Sequence, residues 1–196
     1  MDKRELLIRT AFRLFYSHGI HAVGINSVLK ESGVAKRTLY HHFESKEQLV
    51  EAVIQYRDAV FLEWMQKRLA SVEAGEAGIR ELFAALHDWF NDQVIELQAF
   101  NGCFFINSSA EYGDHDSPIH KACALHKEKV VQLIHRQVEA SGVLAKKVDE
   151  VTGFIAMIKE GAIVTAHVQG DRDSALRGER LALAMLQLNR GHEPTA

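Results

Sequence analysis

The stretch Ile25-Asn-Ser-Val-Leu-Lys-Glu-Ser-Gly33-Val-Ala-Lys36-Arg-Thr-Leu-Tyr40-His-His-Phe43-Glu-Ser45-Lys-Glu-Gln-Leu49 decides the fold. It spells two short helices around a glycine corner and the capped start of a longer one. The first runs from about Asn26 to Ser32 and turns Val28 and Leu29 inward. Gly33 supplies the positive φ that a tight helix-to-helix turn demands, and Val34 plugs the angle. The second, from about Lys36 to His42, sends Leu39 and Phe43, four residues apart, toward the core. Ser45-Lys-Glu-Gln48 is a capping box that starts the next helix at Lys46. These are the parts of a helix-turn-helix, whose second helix lies in a DNA major groove.

The side of that second helix left open carries Lys36, Arg37, Thr38, Tyr40 and His41. Cations, a hydroxyl, a phenol and an imidazole suit phosphate oxygens and base edges. Lys46, in the first turn of its helix, works against the helix dipole unless an anion lies nearby, and a DNA phosphate is such an anion. Net charge is −3 overall, yet residues 1–50 hold eight Lys/Arg against five acids, a balance of +3, while the remainder balances at −6. The basic end is the end with the motif.

Working outward, the composition is that of a helical protein: 47% apolar residues, two prolines, and no alternating strand pattern of any length. No stretch approaches the roughly 18 uncharged apolar residues of a bilayer span, and Met1-Asp-Lys-Arg-Glu lacks the apolar run of a secretion signal, so a cytoplasmic protein is expected. Cys103 and Cys123 are far apart and in no paired metal spacing, so reduced thiols are expected. Asp2 and Glu5 fit a capping box that starts a first helix at about Lys3, with Leu7, Ile8, Ala11, Phe12 and Phe15 on one face and Gly19 ending it. The helix begun at Lys46 continues to about Ala70, long enough to link a head to a body.

Residues 4–54, about a quarter of the chain, resemble the N-terminal domain of TetR-type transcriptional regulators. The hallmark Gly-Val-Ser-Lys-x-Thr-Leu-Tyr-His-x-Phe-x-Ser-Lys-Glu is here Gly33-Val34-Ala35-Lys36-Arg37-Thr38-Leu39-Tyr40-His41-His42-Phe43-Glu44-Ser45-Lys46-Glu47. The departures are Ala35 where a capping Ser is usual, Gly24 and Asn26 where a Thr is common, and Leu29 where a small residue often lies. The resemblance implies an all-α fold of about nine helices: a helix-turn-helix DNA-binding domain over residues 1–48, joined by the long helix to a ligand-binding and dimerisation domain over 49–196. It implies a homodimeric repressor on a palindromic double-stranded DNA operator, with Asn26 and Ser27 joining Lys36, Arg37, Thr38, Tyr40, His41 and Lys46 as DNA contacts. A small molecule bound in the body would release the DNA.

In the body, Ile79, Leu82, Phe83, Leu86, Trp89 and Phe90 form an apolar stripe of helical period. Trp89 and Phe90 could also border a ligand cavity. Along 101–112, Cys103, Asn107 and Glu111 stand at i, i+4 and i+8, resembling a Gly-Cys-x-x-x-Asn-x-x-x-Glu pattern in one branch of the family that includes regulators responding to electrophiles or small carbonyl and acid metabolites. With Phe104 they complete the candidate ligand set, and Glu111 favours a cationic or hydrogen-bond-donating ligand. If Asn101 caps that helix, Cys103 lies in its first turn, where the dipole favours the thiolate; the alternative is a cysteine packed as a small apolar residue.

Ser117-Pro118 starts the next helix, with His120, Cys123 and His126 on it. Successive steps of three residues spread these side chains around the helix, and Cys123 is in register with Ile119, Val130 and Ile134, so packing is favoured over a metal site. The last two helices, about Lys147 to His167 and Ser174 to Leu188, are apolar over more of their circumference than a one-sided surface helix needs, and the family pairs these helices with a second copy. In the first of them Val151, Phe154, Ile155, Ile158, Ala162, Ile163 and Ala166 are expected inward. Gly191 to Ala196 is expected to be a short disordered tail.

No nucleophile, base and orienting group stand together, no phosphate loop follows a strand, and no cofactor motif is present, so an enzyme is not expected. A metal or redox sensor using Cys103 or the His120/Cys123 region is the alternative within a regulator. A helical protein-binding module with a degenerate head is the alternative outside it.

Overall fold

The structure, a computed structural model, describes residues 2–191. The tail expected from Gly191 to Ala196 lies, but for Gly191, outside the described residues. These fold as nine α-helices with no strand: α1 (Lys3–His18), α2 (Ile25–Ser32), α3 (Lys36–His42), α4 (Lys46–Leu69), α5 (Glu76–Phe90), α6 (Phe104–Glu111), α7 (Pro118–Glu139), α8 (Val148–Gln169) and α9 (Ser174–Leu188). Two 3-10 turns, Ile95–Leu97 and Ala145–Lys147, interrupt the connections. The chain forms two compact units, Met1–Val60 with Cys103–His126, and Phe61–Gly102 with Lys127–Ala196.

In the first unit α1 packs on α2 and α3, and its apolar face supplies the centre of a small core: Leu7, Ala11, Phe12, Phe15 and Ile20 are buried with Val28, Leu39, Phe43, Leu49 and Val53. Gly33 ends α2 in the left-handed region, φ +66°, and its N–H donates to Leu29 O, closing the turn as the sequence requires. Ser45 Oγ accepts the Gln48 N–H at 3.3 Å, while Gln48 Oε1 accepts the Glu44 N–H at 2.8 Å, so the capping box at the head of α4 forms with its return bond one residue early. The box expected on α1 does not. Asp2 is the backbone N-cap without a side-chain cap bond, and Glu5 accepts from Arg9 Nε at 2.8 Å, one turn further on. A ready i+4 cation outcompetes the exposed backbone N–H. Within the same unit His126 lies flat on Phe105, ring centroids 3.4 Å apart, with its Nδ1 2.8 Å from Asp58, so α4, α6 and α7 are tied by one buried imidazole.

In the second unit α9 packs on α5 and α8. Trp89 is the centre of an aromatic cluster, with Phe61, Trp64, Phe90 and Phe100 at centroid distances of 5.6, 6.5, 5.8 and 5.0 Å. Gly178 makes the close approach of α9 possible, since a Cβ there would stand 2.7 Å from the Phe83 ring. Lys159 is buried on α8 with its ammonium 2.5 Å from Glu160, which also accepts from Lys127 of α7 at 2.7 Å. Burial opposes the Glu160 charge, but the Lys159 and Lys127 ammoniums outweigh it and hold the carboxyl at about 2.

Phe154 was expected inward and instead reaches the surface. It joins Met157, Val164 and Val168 in an exposed apolar row along α8, while Val151, Ile155, Ala162, Ile163 and Ala166 take the buried side. Two opposite apolar faces also make the stretch Ala145–Gln169 long and apolar enough, by length and composition, to cross a bilayer, with mean hydropathy 1.3. Lys159 and Glu160 lie within it, so it is not the run of roughly 18 uncharged apolar residues that the sequence analysis found absent. A charged pair at its middle, Lys159 and Glu160, and a half-buried circumference identify a helix packed on one side and uncovered on the other.

Candidate nucleic-acid interface

On α3, burial of Leu39 and Phe43 fixes the helix so that Lys36, Arg37, Tyr40 and His41 are exposed, Tyr40 at 45%, and Thr38 is half-buried. Asn26 and Ser27 of α2 are exposed beside them in sequence register. Lys36 Nζ lies 6.0 Å from the Tyr40 ring centroid, which lines up cation and phenol on one face. Ala35 is the N-cap of α3 with extended backbone and no side-chain bond, so the first-turn N–H groups have no cap from that side chain.

Lys46 behaves differently from the other predicted contacts. It is half-buried, its ammonium donates to Ile20 O at 2.6 Å and lies 6.0 Å from the Phe15 ring centroid, so at least one of its protons is directed into the protein. The carbonyl it engages belongs to the turn between α1 and α2. The same turn is held from α6. Glu111 Oε1 accepts the Ile20 N–H at 2.7 Å and Oε2 accepts the His21 N–H at 2.6 Å, with His21 Nδ1 3.3 Å from Oε2. The carboxylate expected to meet a cationic ligand is thus engaged by backbone of the helix-turn-helix.

The rest of the candidate ligand set divides between the units. Trp89 and Phe90 belong to the aromatic core of the second unit and are 1% and 0% exposed. Cys103, Phe104, Asn107 and Glu111 belong to the first. Cys103 is the N-cap residue of α6 rather than a member of its first turn, because Gly102, at φ +76°, turns the chain immediately before it; the condition that Asn101 caps the helix is not met. The thiol is buried. Phe104 packs edge-on against Phe12 and Tyr16 at 5.3 and 6.1 Å.

Two residues here escaped the sequence analysis. Arg57 is 1% exposed, with its guanidinium 5.2 Å from the Phe12 ring and 5.6 Å from Tyr16. Burial pushes it below its ordinary pKa, opposed by the fields of Tyr16, Cys103 and Tyr56. The signal was available, since Arg57 stands four residues from both Val53 and Phe61 on the apolar side of α4. Ser108, 1% exposed, has a hydroxyl with no hydrogen-bond partner. Only tertiary packing reveals it.

On α7, Cys123 is buried in register with Ile119, Val130 and Ile134 as expected, His120 Nδ1 lies 2.8 Å from Tyr112 O, and His126 pairs with Asp58. Among the described residues no group of three or more His, Cys, Asp or Glu side chains is placed to hold a metal ion.

Residues 7–53 match the family described as "Bacterial regulatory proteins, tetR family", and residues 77–177 match "Transcriptional regulator LmrA/YxaF-like, C-terminal domain". Among curated relatives, the HTH-type transcriptional repressor NemR of Escherichia coli is 27% identical over 138 residues, 70% of this chain and 68% of its own. The HTH-type transcriptional regulator LmrA of Bacillus subtilis is 26% identical, covering 83% of this chain and 85% of its own. Among solved structures, SCO4454, a TetR-family transcriptional regulator from Streptomyces coelicolor, superposes with a TM-score of 0.85 at 25% identity over 96% of both chains. Two family matches that together span most of the chain, a reader helix with its polar face open, and an all-α fold shared with such regulators lead to one conclusion: the chain belongs to the TetR family of DNA-binding transcriptional regulators and is not an enzyme.

Proposed function

We propose that the chain is a cytoplasmic homodimeric repressor that binds a palindromic operator through α3 and releases it when an effector engages the body. Residues 1–48 act as the DNA-binding domain and 49–196 as the ligand-binding and dimerisation domain. The observation that carries this is the open face of α3, with Lys36, Arg37, Tyr40 and His41 exposed around a helix whose other side is buried. Lys36 and Arg37 engage phosphate or guanine edges, Tyr40 and Thr38 phosphate, and Asn26 and Ser27 the flanking backbone. Lys46 adds to phosphate binding only with the protons it does not give to Ile20.

The second copy docks on the exposed row of α8 together with Leu181 and Leu188 of α9, both uncovered. Two reader helices then sit about 34 to 36 Å apart, in successive major grooves. The effector is a small molecule or a thiol-reactive compound acting at α6, where Cys103 is the buried N-cap thiol and Ser108 offers an unsatisfied hydroxyl. Such a switch requires only that the effector prefer one of two states. That NemR, a relative, is a transcriptional repressor supports the direction of control. The metal-sensing alternative is not favoured, for want of a ligand group among the described residues.

Selection of bound duplexes from a random-sequence pool tests the proposal. An enriched two-half-site palindrome is expected, and a pool without enrichment would sink it.

A further inference from the structure

We propose that Glu111 is a positioning residue for the DNA reader, holding the helix-turn-helix in register with α6 through the turn at Ile20 and His21; this rests on the DNA-binding function proposed above. The two backbone N–H groups it accepts, at 2.7 and 2.6 Å, lie 91 and 90 residues away in sequence. The carbonyl of Ile20 is taken by Lys46 at the start of α4 at 2.6 Å. The turn between α1 and α2 is therefore gripped on both its donor and acceptor sides by charged groups from two other helices. Charge-assisted bonds of this length are among the stronger ones available to a backbone.

The grip is built into the sequence at its other end as well. Gly19, at φ +86°, leads into the turn, and a Cβ there would lie 3.4 Å from Glu111 Oε1, so the carboxylate seats against the one residue type that accepts this backbone at no cost. The Tyr112 ring lies tilted against that of His21, centroids 5.0 Å apart. Because Cys103 is the N-cap of α6 and Glu111 its last residue, α6 is a short rod with a thiol at one end and the grip on the reader at the other. A shift of α6 is passed to Ile20 and His21 through these bonds, alongside the packing of Phe104 on α1, and from there to α2 and α3. A carboxylate serving only to tidy a loop would leave recognition of DNA untouched.

The test uses the full-length protein with the duplex recovered by selection, and compares Glu111→Gln and Glu111→Ala with the wild type. Glutamine keeps length and can accept one N–H, but its amide protons face the other donor. Expected are an unchanged dimer, a modestly lower melting temperature with a single cooperative transition, amide exchange at Ile20 and His21 faster by at least about tenfold, and affinity for the selected duplex lower by at least about tenfold at temperatures where the variant is fully folded, with binding to unrelated duplex unchanged. Glutamine should lie between alanine and wild type. A loss of specific and unrelated binding together, tracking a fall in melting temperature, would overturn the inference in favour of a merely structural bond. So would wild-type specific affinity in a variant whose Ile20 and His21 amides exchange freely. A wild-type chain that binds no duplex would remove the proposed function itself, an outcome distinct from either.

Discussion

Among single residues, the sharpest lesson is how a side chain of the right type in the right place can be directed elsewhere. Lys46 was expected to meet a phosphate from its place in the first turn of α4, and the helix does begin there. What the sequence did not carry was the acceptor 26 residues back, Ile20 O, because that pairing exists only once α1 has packed. Ala35 is the opposite case, since sequence and structure agree that α3 starts without a side-chain cap. Ala35→Ser restores an oxygen within reach of the first-turn N–H groups. It should raise stability by about 1 kcal/mol, seen as a higher melting temperature. An unchanged or lower value would mean that those N–H groups already have partners.

For the helices themselves, α1 to α3 were readable nearly to the residue, because each is bounded by local chemistry: Gly19, Gly33, the Ser45 cap, and apolar pairs four apart. The start of α6 was left open between alternatives, which Gly102 decides by turning the chain just before Cys103, and the outward turn of Phe154 was missed because periodicity alone cannot tell which of two apolar faces of α8 is covered. The tie between α7 and α8 makes a separate prediction. Glu160, held at about 2 by Lys159 and Lys127, has a folded pKa below its ordinary 4.5, so its contribution to stability is complete above about 4.5 and is lost as the pH falls toward 2. Glu160→Gln should flatten the acid limb of the stability profile over that window in urea titrations, besides lowering stability at neutral pH by removing the carboxylate beside the buried Lys159 ammonium. An acid limb identical to the wild type would refute that placement of the charge.

For the whole molecule, function depends on what covers the outer row of α8 and what meets the open face of α3. Placing a carboxylate in the first of these, by Val164→Glu, should convert the proposed dimer to a monomer in sedimentation experiments and weaken operator binding with it. A dimer that survives would move the interface to another face. The fold class and the reader were legible from one stretch because local rules bound them. The engagement of Glu111 was not, since it joins segments some 90 residues apart. The most direct measurement is a salt titration of binding to the selected duplex by the wild type and by the Lys36→Ala/Tyr40→Ala double variant, with the dimer checked in parallel. Specific binding by the wild type that weakens steeply with salt, lost in the double variant while the dimer persists, is the predicted result. A double variant that binds the selected duplex as tightly as the wild type would contradict the assignment of α3 as the reader.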